Sequence, residues 1–225
     1  MGIYAYCVVP AGHRPPQDLL GIGGARVELA SVAGLSLWVS VGDRPEAAID
    51  AVLAHNRVVE VAVTEAVTPV PLRFGQWLED RNRFEHAIAE NAVRYRELLE
   101  SFAGCLEFGL RLIDPNAAEE AQEVRTSPRT GREYMQALQE SGKLADRKQA
   151  QAEQVAARIR EQLRDVVRDE RIDTPRTKHA VVTMSHLVAR EYFDEYRERA
   201  RRLRTAFPEL RLLLSGPWPP YSFAA

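Results

Sequence analysis

The sequence predicts an α+β protein of two domains, an N-terminal mixed α+β domain at 1–103 and a C-terminal ferredoxin-like domain at 104–225. Three observations lead to this expectation. Apolar runs typical of strands open the two halves, at 3–9 and 105–113. Stretches with the apolar period of an amphipathic helix lie between such runs. The second half reads strand, helix, strand, helix, strand, an order that favours a ferredoxin-like sandwich.

The N-terminal half carries the signals of several strands. The run IYAYCVV at 3–9 is apolar throughout, which is typical of a strand buried on both faces. Residues 25–42 predict two strands joined by a turn near Ala33-Gly34, because apolar residues alternate along the second of them. The segment at 66–75 contains two prolines, so we expect an edge strand or an extended stretch there.

Two helices are predicted in the same half. Apolar residues fall at helical spacing along 45–65. A longer amphipathic helix is predicted over 76–102, with Trp77 and Phe84 on its apolar side, and Gly104 follows it.

The C-terminal half begins with clean alternation of apolar residues. The first predicted elements are a strand at 105–113, a polar loop at 114–131 and a helix at 132–170. The segment 178–189 then starts as a strand, and a helix at 190–206, a strand at 209–216 and an aromatic, proline-rich tail follow.

Charge and composition narrow the class of function. The 30 basic and 32 acidic residues leave a formal net charge of −2. Such balance argues against a nucleic-acid binder and against a polybasic membrane-surface protein. No apolar stretch is long enough for a transmembrane helix, and the N-terminus lacks the pattern of a signal peptide. We therefore expect a cytoplasmic protein in which Cys7 and Cys105 are reduced and buried.

The sequence contains no recognisable catalytic motif. The GIGG stretch at 21–24 lacks the third glycine of a dinucleotide loop, since that position is Arg26. No GxSxG, HExxH or CxxC occurs, and no two histidines lie four residues apart. A lone histidine such as His55 on a helix is more often a hydrogen-bonded packing residue than a ligand. The residues therefore predict no catalytic site, no cofactor site and no metal site, which favours a protein that is not an enzyme.

Two other stretches are candidates for partner binding. PVPLRFGQW at 69–77 is either an edge strand with Arg73 in a local ion pair or a docking edge with one anchoring cation. GPWPPYSF at 216–223 either folds back on its own domains, which we favour, or docks on a partner. If the ring of Trp218 is buried, its replacement by alanine should cost about 3 kcal/mol. The candidate partner-binding residues are Arg73, Phe74, Trp77, Trp218, Tyr221 and Phe223.

The same stretches carry a resemblance to a known family. The tail GPWPPYSF, the internal PVPLRFG, the opening IYAYCVV and the GREYM at 131–135 together resemble the gas vesicle protein F/L family, in the same order over essentially the whole chain. The tail is the most specific of these elements. These residues do not separate the F type from the L type.

The resemblance implies a role and a set of partners. Members are accessory or minor structural proteins of gas vesicle assembly, with two α+β domains, and are thought to contact the hydrophobic shell protein. It therefore implies a protein of the cytoplasm and the gas vesicle that binds a GvpA-type shell protein and other accessory proteins, without a cofactor. Two alternatives remain open: a small-molecule enzyme on a ferredoxin-like domain, and a scaffold that binds only other accessory proteins.

Overall fold

Two antiparallel β-sheets with flanking helices form the described part of the protein, residues 1–116, 131–173 and 179–224 of a computed structural model. The chain divides into two compact units, one of Met1–Glu107 with Pro217–Ala225 and one of Phe108–Gly216. The sequence-based boundary at 103/104 lies slightly earlier. It also groups the tail with the second half, whereas here the tail belongs to the first unit. The division into two domains stays a prediction.

The sheet of the first unit is built around its first strand. Its order is β2-β3-β1-β4, and a further short strand, β5, also pairs with β1. Both short strands run antiparallel to β1, and β4 lies at the sheet edge, as the two prolines of that segment predicted. The strands are β1 Gly2–Val9, β2 Glu28–Val32, β3 Leu35–Gly42, β4 Val70–Pro71 and β5 Trp77–Leu78.

The predicted turn between β2 and β3 is confirmed. Val32 pairs with Leu35, so only Ala33 and Gly34 form the loop. Both have positive φ, 50° and 75°. Two residues with positive φ match the right-handed twist of a hairpin, and glycine adopts that conformation without strain.

The helix predicted over 76–102 is wrong in its first part and in its continuity. The chain forms β5 first, then α2 (Arg81–Glu90) and α3 (Ala92–Phe102). The carboxylate of Asp80 caps α2 by accepting hydrogen bonds from the backbone N–H of Asn82 and Arg83. Asn91, with φ −102° and ψ 6°, separates the two helices. Trp77 therefore lies in a strand.

The first helix, α1 (Ile49–Ala62), covers one face of this sheet. It buries a face of four residues, His55, Val58, Val59 and Ala62. Val58, Val59 and Ala62 pack into one core with side chains of β1 and with Trp38 of β3. The core aromatic residues Tyr4 and Tyr6 come from β1.

The second unit has its own sheet, in the order β7-β8-β6-β9. Its apolar core unites the alternating side chains Phe108, Leu110 and Leu112 of β6 with both helices. This confirms the alternation expected at 105–113. The elements are β6 Cys105–Ile113, α4 Gly131–Leu163, β7 Asp169–Asp173, β8 Ala180–Ala189, α5 Phe193–Ala206 and β9 Arg211–Trp218.

Strand β7 is an element that the sequence analysis missed, because it extended α4 to residue 170. The helix ends at Leu163, and residues 169–173 pair with β8 at the sheet edge. The strand DERID offers only Ile172 as an apolar signal, since an edge strand has one face and one side in solvent. Most of the loop predicted at 114–131, and the start of the strand predicted from 178, lie outside the described residues.

Cys7 and Cys105 are both buried, as expected. In the parts of the chain that the structure describes, no helix has the length and apolar character required to cross a membrane.

The core of the second unit gives a stability prediction. Leu112 is fully buried, whereas Leu213 on β9 of the same sheet is 39% exposed. Leu112→Ala should lower the free energy of unfolding by about 3 kcal/mol, because it removes buried methyl groups and leaves a cavity. The matched control Leu213→Ala should cost less than about 1 kcal/mol. Urea denaturation measures both losses of free energy, and equal losses would contradict the burial of Leu112 in this core.

Candidate functional site

His55 holds the PLRFG segment against β1. The ring is 1% exposed. Its Nε2–H donates to the carbonyl of Leu72 at 2.9 Å, so Nδ1 accepts from the hydroxyl of Tyr4, also at 2.9 Å. The same Tyr4 oxygen accepts the backbone N–H of Gly75 at 3.0 Å. The two side chains thereby fix both ends of the short stretch from Leu72 to Gly75.

This stretch protrudes from the sheet between two points of pairing. Leu72 N–H donates to the carbonyl of Tyr6 at 2.9 Å, and Ala5 N–H donates to the carbonyl of Gln76 at 2.9 Å. Residues 73–75 are therefore looped out between adjacent positions of β1. Gly75 has φ +95°, a conformation that favours glycine.

The protrusion sorts its side chains into an inner and an outer set. The half-buried ring of Phe74 packs beside Tyr4 and His55, and its centroid lies 6.1 Å and 6.0 Å from the centroids of those rings. Arg73 is exposed. Among the ion pairs that the described residues make, none includes Arg73, so the alternative of a local ion pair gains no support. Trp77 is half-buried and donates its Nε1–H to the carbonyl of Gly42 at 3.2 Å. The protrusion therefore exposes the charged side chain of Arg73, while the half-buried rings of Phe74 and Trp77 pack on the protein side.

The tail folds back onto the N-terminal unit. Its last turn, α6 (Tyr221–Ala224), buries Phe223 to 2% exposure. The backbone N–H and hydroxyl of Ser222 donate to the carboxylate of Glu107 at 2.9 and 2.6 Å. Arg94 donates to the carbonyl of Ala224 at 3.0 Å. These bonds explain why the tail belongs to the first unit.

Two aromatic residues of the tail differ in their surroundings. The half-buried Tyr221 donates its hydroxyl to Asn56 at 3.1 Å, and its ring lies 6.4 Å from His55. Trp218 is 48% exposed. The burial on which the expected 3 kcal/mol loss depended is therefore absent at Trp218 and present at Phe223.

Burial keeps the central network uncharged at neutral pH. It lowers the pKa of His55 to about 4 and raises the pKa of Tyr4 to about 12. In the second unit burial likewise lowers the pKa of His186 to about 4, and Nδ1 of that ring lies 2.8 Å from the hydroxyl of Tyr196. His55 is thus a hydrogen-bonded packing residue, as predicted. Among the side chains that the structure describes, no group of three or more His, Cys, Asp or Glu residues could hold a metal ion.

The sequence analysis missed the residues that hold the tail. Glu107 carried a detectable signal, a carboxylate within the apolar strand CLEFGLRLI. Asn56 and Arg94 carried none, because polar residues on helices are usually solvated.

Comparison with known proteins identifies the family. The model of the family described as gas vesicle synthesis protein GvpL/GvpF matches residues 2–225. The chain belongs to the GvpL/GvpF family. The resemblance in the motifs is thereby confirmed, and with it a gas vesicle role.

Curated relatives of both types resemble this GvpL/GvpF chain. It is 27% identical to gas vesicle protein L of Haloferax mediterranei over 205 residues, 81% of this chain and 63% of that protein. It is 25% identical to gas vesicle protein L of Streptomyces sp., covering 98% of this chain and 92% of the relative. Gas vesicle protein F of the same Streptomyces is 24% identical, with 99% of each chain covered. The chain thus spans less than two thirds of the Haloferax protein.

Solved structures share the α+β fold over the whole chain. The crystal structure of GvpF from Anabaena sp. superposes with a TM-score of 0.75 at 19% identity, covering 100% of this chain and 98% of that one. GvpF from Microcystis aeruginosa gives 0.72 at 20% identity, covering 100% and 99%.

The tail of this GvpL/GvpF protein predicts different losses of stability at two of its aromatic residues, Phe223 and Trp218. Phe223→Ala should lower the free energy of unfolding by about 3 kcal/mol, because the ring is buried. Trp218→Ala should cost less than about 1 kcal/mol, because half of that ring is already in water. Chemical denaturation of both variants checks this. A larger loss for Trp218→Ala would mean that the tail is held differently.

The buried histidines predict how stability depends on pH. The pKa of His55 is about 4 in the folded protein and near 6.5 when unfolded, so the unfolded state binds more protons between these values. The stabilisation is complete above pH 6.5 and is lost as the pH falls towards 4, by about 3 kcal/mol for each such histidine. The variant His55→Gln should be less stable at pH 7. Its free energy of unfolding should fall less steeply as the pH decreases, because of the two buried histidines only His186 still contributes. Denaturation curves from pH 7 to 4.5 measure both slopes, and parallel slopes would contradict the role of His55.

Proposed function

We propose that this GvpL/GvpF protein is a non-catalytic accessory or minor structural component of gas vesicle assembly. It binds the hydrophobic GvpA-type shell protein and prevents its aggregation or helps to nucleate the shell. It acts in the cytoplasm and at the gas vesicle, and it also contacts other accessory proteins. Nucleic acid and membranes are not its partners, which the net charge of −2 supports.

The observation that carries this proposal is the protrusion at 73–75. The exposed Arg73 lies in a segment whose two ends are hydrogen-bonded to His55 and Tyr4. Because this segment is already ordered, a partner that docks on it loses little additional conformational entropy. Arg73 supplies the anchoring cation, and Phe74 and Trp77 support the segment from within.

Exposed strand edges support the proposal further. β9 is an edge strand of the second sheet and ends at the half-exposed Trp218. Such an edge offers directional backbone hydrogen bonds to an added strand. A shell protein with apolar faces aggregates unless they are covered before assembly. Trp218 is the exposed contact of the tail on this view, whereas Tyr221 and Phe223 act by holding the tail in place.

We also infer that the second unit is a ferredoxin-like domain. Its elements follow one another as strand, helix, two strands, helix and strand, and the sheet order β7-β8-β6-β9 supports this topology. An enzymatic role on this domain gains no support from His186, whose buried ring is engaged with Tyr196.

The proposal predicts that the purified protein captures its shell subunit. Tagged full-length protein, co-expressed with a GvpA-type subunit, should retain that subunit on the resin and raise its soluble fraction. Arg73→Ala should reduce capture about fivefold, since removal of one anchoring charge weakens an interface by roughly 1 kcal/mol. Arg83→Ala is the matched control, because Arg83 is also exposed, on α2.

The outcomes separate the competing functions. Capture of other accessory proteins without the shell subunit would replace the proposal with a pure scaffold. Equal capture by wild type and Arg73→Ala would remove Arg73 from the contact. No association with any gas vesicle component would overturn the proposal.

A further inference from the structure

Helix α1 is apolar on its outward face as well as on its buried one. Ile49 is 79% exposed, Leu53 60% and Val52 37%. Residues at i, i+3 and i+4 lie together on one side of a helix. Val58 and Val59, by contrast, are fully buried on the side that packs on the sheet. A helix on a protein surface ordinarily has a polar outer face, so this exposed aliphatic stripe indicates a surface for contact.

The stripe continues into the tail. Asn56 follows Val52 by four residues and Leu53 by three, so it extends the same side of α1. Its side chain accepts the hydroxyl of Tyr221 at 3.1 Å. The stripe and the tail are therefore parts of one surface within the N-terminal unit, fixed at this end by a hydrogen bond.

Acidic residues outnumber basic ones on α1 and in the segment before it. The exposed charged residues between 43 and 60 are Asp43, Arg44, Glu46, Asp50, Arg57 and Glu60, four acidic and two basic. Glu60 is exposed and follows Asn56 by four residues, so it lies on the same side of α1, beyond the bond between Asn56 and Tyr221. Negative charge thus lies at both ends of the stripe, at Asp50 and at Glu60.

We propose that the α1 surface, formed by Ile49, Val52, Leu53, Asp50, Glu60 and Tyr221, docks an amphipathic helix of a partner protein that carries basic residues beside its aliphatic face. Ile49, Val52 and Leu53 form an aliphatic ridge on α1, and the apolar face of a second helix can pack against such a ridge. Lysine or arginine beside those anchors complements the acidic border. The inference rests on the proposed function only in that the helix belongs to a gas vesicle component.

The size of the stripe disfavours a second copy of this chain as the occupant. Three aliphatic side chains are far fewer than the about 20–30 residues that each partner contributes to a standard protein interface. A membrane of anionic lipid is disfavoured too, because the acidic border would repel it. A single docked helix needs only a few anchors, which is what the surface provides.

Synthetic helical peptides test the surface directly. A labelled peptide of about 15 residues, near the length at which isolated helices form, carries leucines on one face and lysines beside them. A second peptide replaces the lysines with glutamates. Fluorescence anisotropy with the full-length protein should show binding of the lysine peptide, weakened by salt, and at least about tenfold weaker binding of the glutamate peptide.

Variants then locate the binding. Ile49→Gln with Leu53→Gln should weaken binding of the lysine peptide at least about tenfold, because hot-spot anchors are lost. Val93→Gln is the matched control, since Val93 is 66% exposed on α3, and it should bind as wild type does. Asp50→Lys should reduce the preference for the lysine peptide. Unchanged melting temperatures confirm that the variants fold.

Several results would overturn the inference. These are no binding of the lysine peptide, equal binding of both peptides, and equal losses for the α1 and Val93 variants. A concentration-dependent dimer in light scattering that the α1 variant abolishes would assign the surface to a second copy instead. Capture of the shell subunit without peptide binding would overturn the α1 surface and leave the proposed function standing. Peptide binding without capture of any vesicle component would overturn the proposed function and leave the α1 surface standing.

Discussion

The hydrogen bonds of His55 hold together the parts of the N-terminal unit that carry the candidate site. The ring lies on α1, accepts from Tyr4 of β1 and donates to the carbonyl of Leu72 beside β4. Its bonding requires a neutral imidazole, which burial guarantees at neutral pH by lowering the pKa to about 4. Because the backbone of the protrusion leaves the sheet directly after Leu72, the orientation of Arg73 depends on this one side chain more than on any contact of its own.

The tail depends on a second polar contact of the same kind. Glu107 is 8% exposed, and Ser222 donates two hydrogen bonds to its carboxylate. A buried carboxylate that lost these donors would be costly, so the carboxylate and the tail stabilise each other. The bond between Tyr221 and Asn56 then joins the tail to α1. The proline-rich end is therefore part of the N-terminal fold, and it leaves Trp218 at the surface.

Helix α1 shows how one element serves both stability and contact. One side packs His55, Val58 and Val59 into the core, and the opposite side exposes Ile49 and Leu53. Apolar residues at helical spacing predict the helix, but because they lie on both sides the sequence pattern does not show which side faces the core.

The sequence by itself determined the α+β class, most of the strands and helices, the hairpin at Ala33-Gly34 and the family, because periodicity, turn residues and motifs are local signals. The helix break at Asp80 and strand β7 were missed, since one depends on a capping bond and the other is a charged edge strand with little apolar pattern. Arg73, Phe74, Trp77 and the tail residues stay predicted partner-binding residues, and the sequence did not show which of them are exposed and which pack inward. Only the tertiary structure decided that Phe223 is buried and Trp218 half exposed, and that Glu107, Asn56 and Arg94 hold the tail. These contacts join residues far apart in the chain, and no local pattern encodes which distant polar group a side chain will meet.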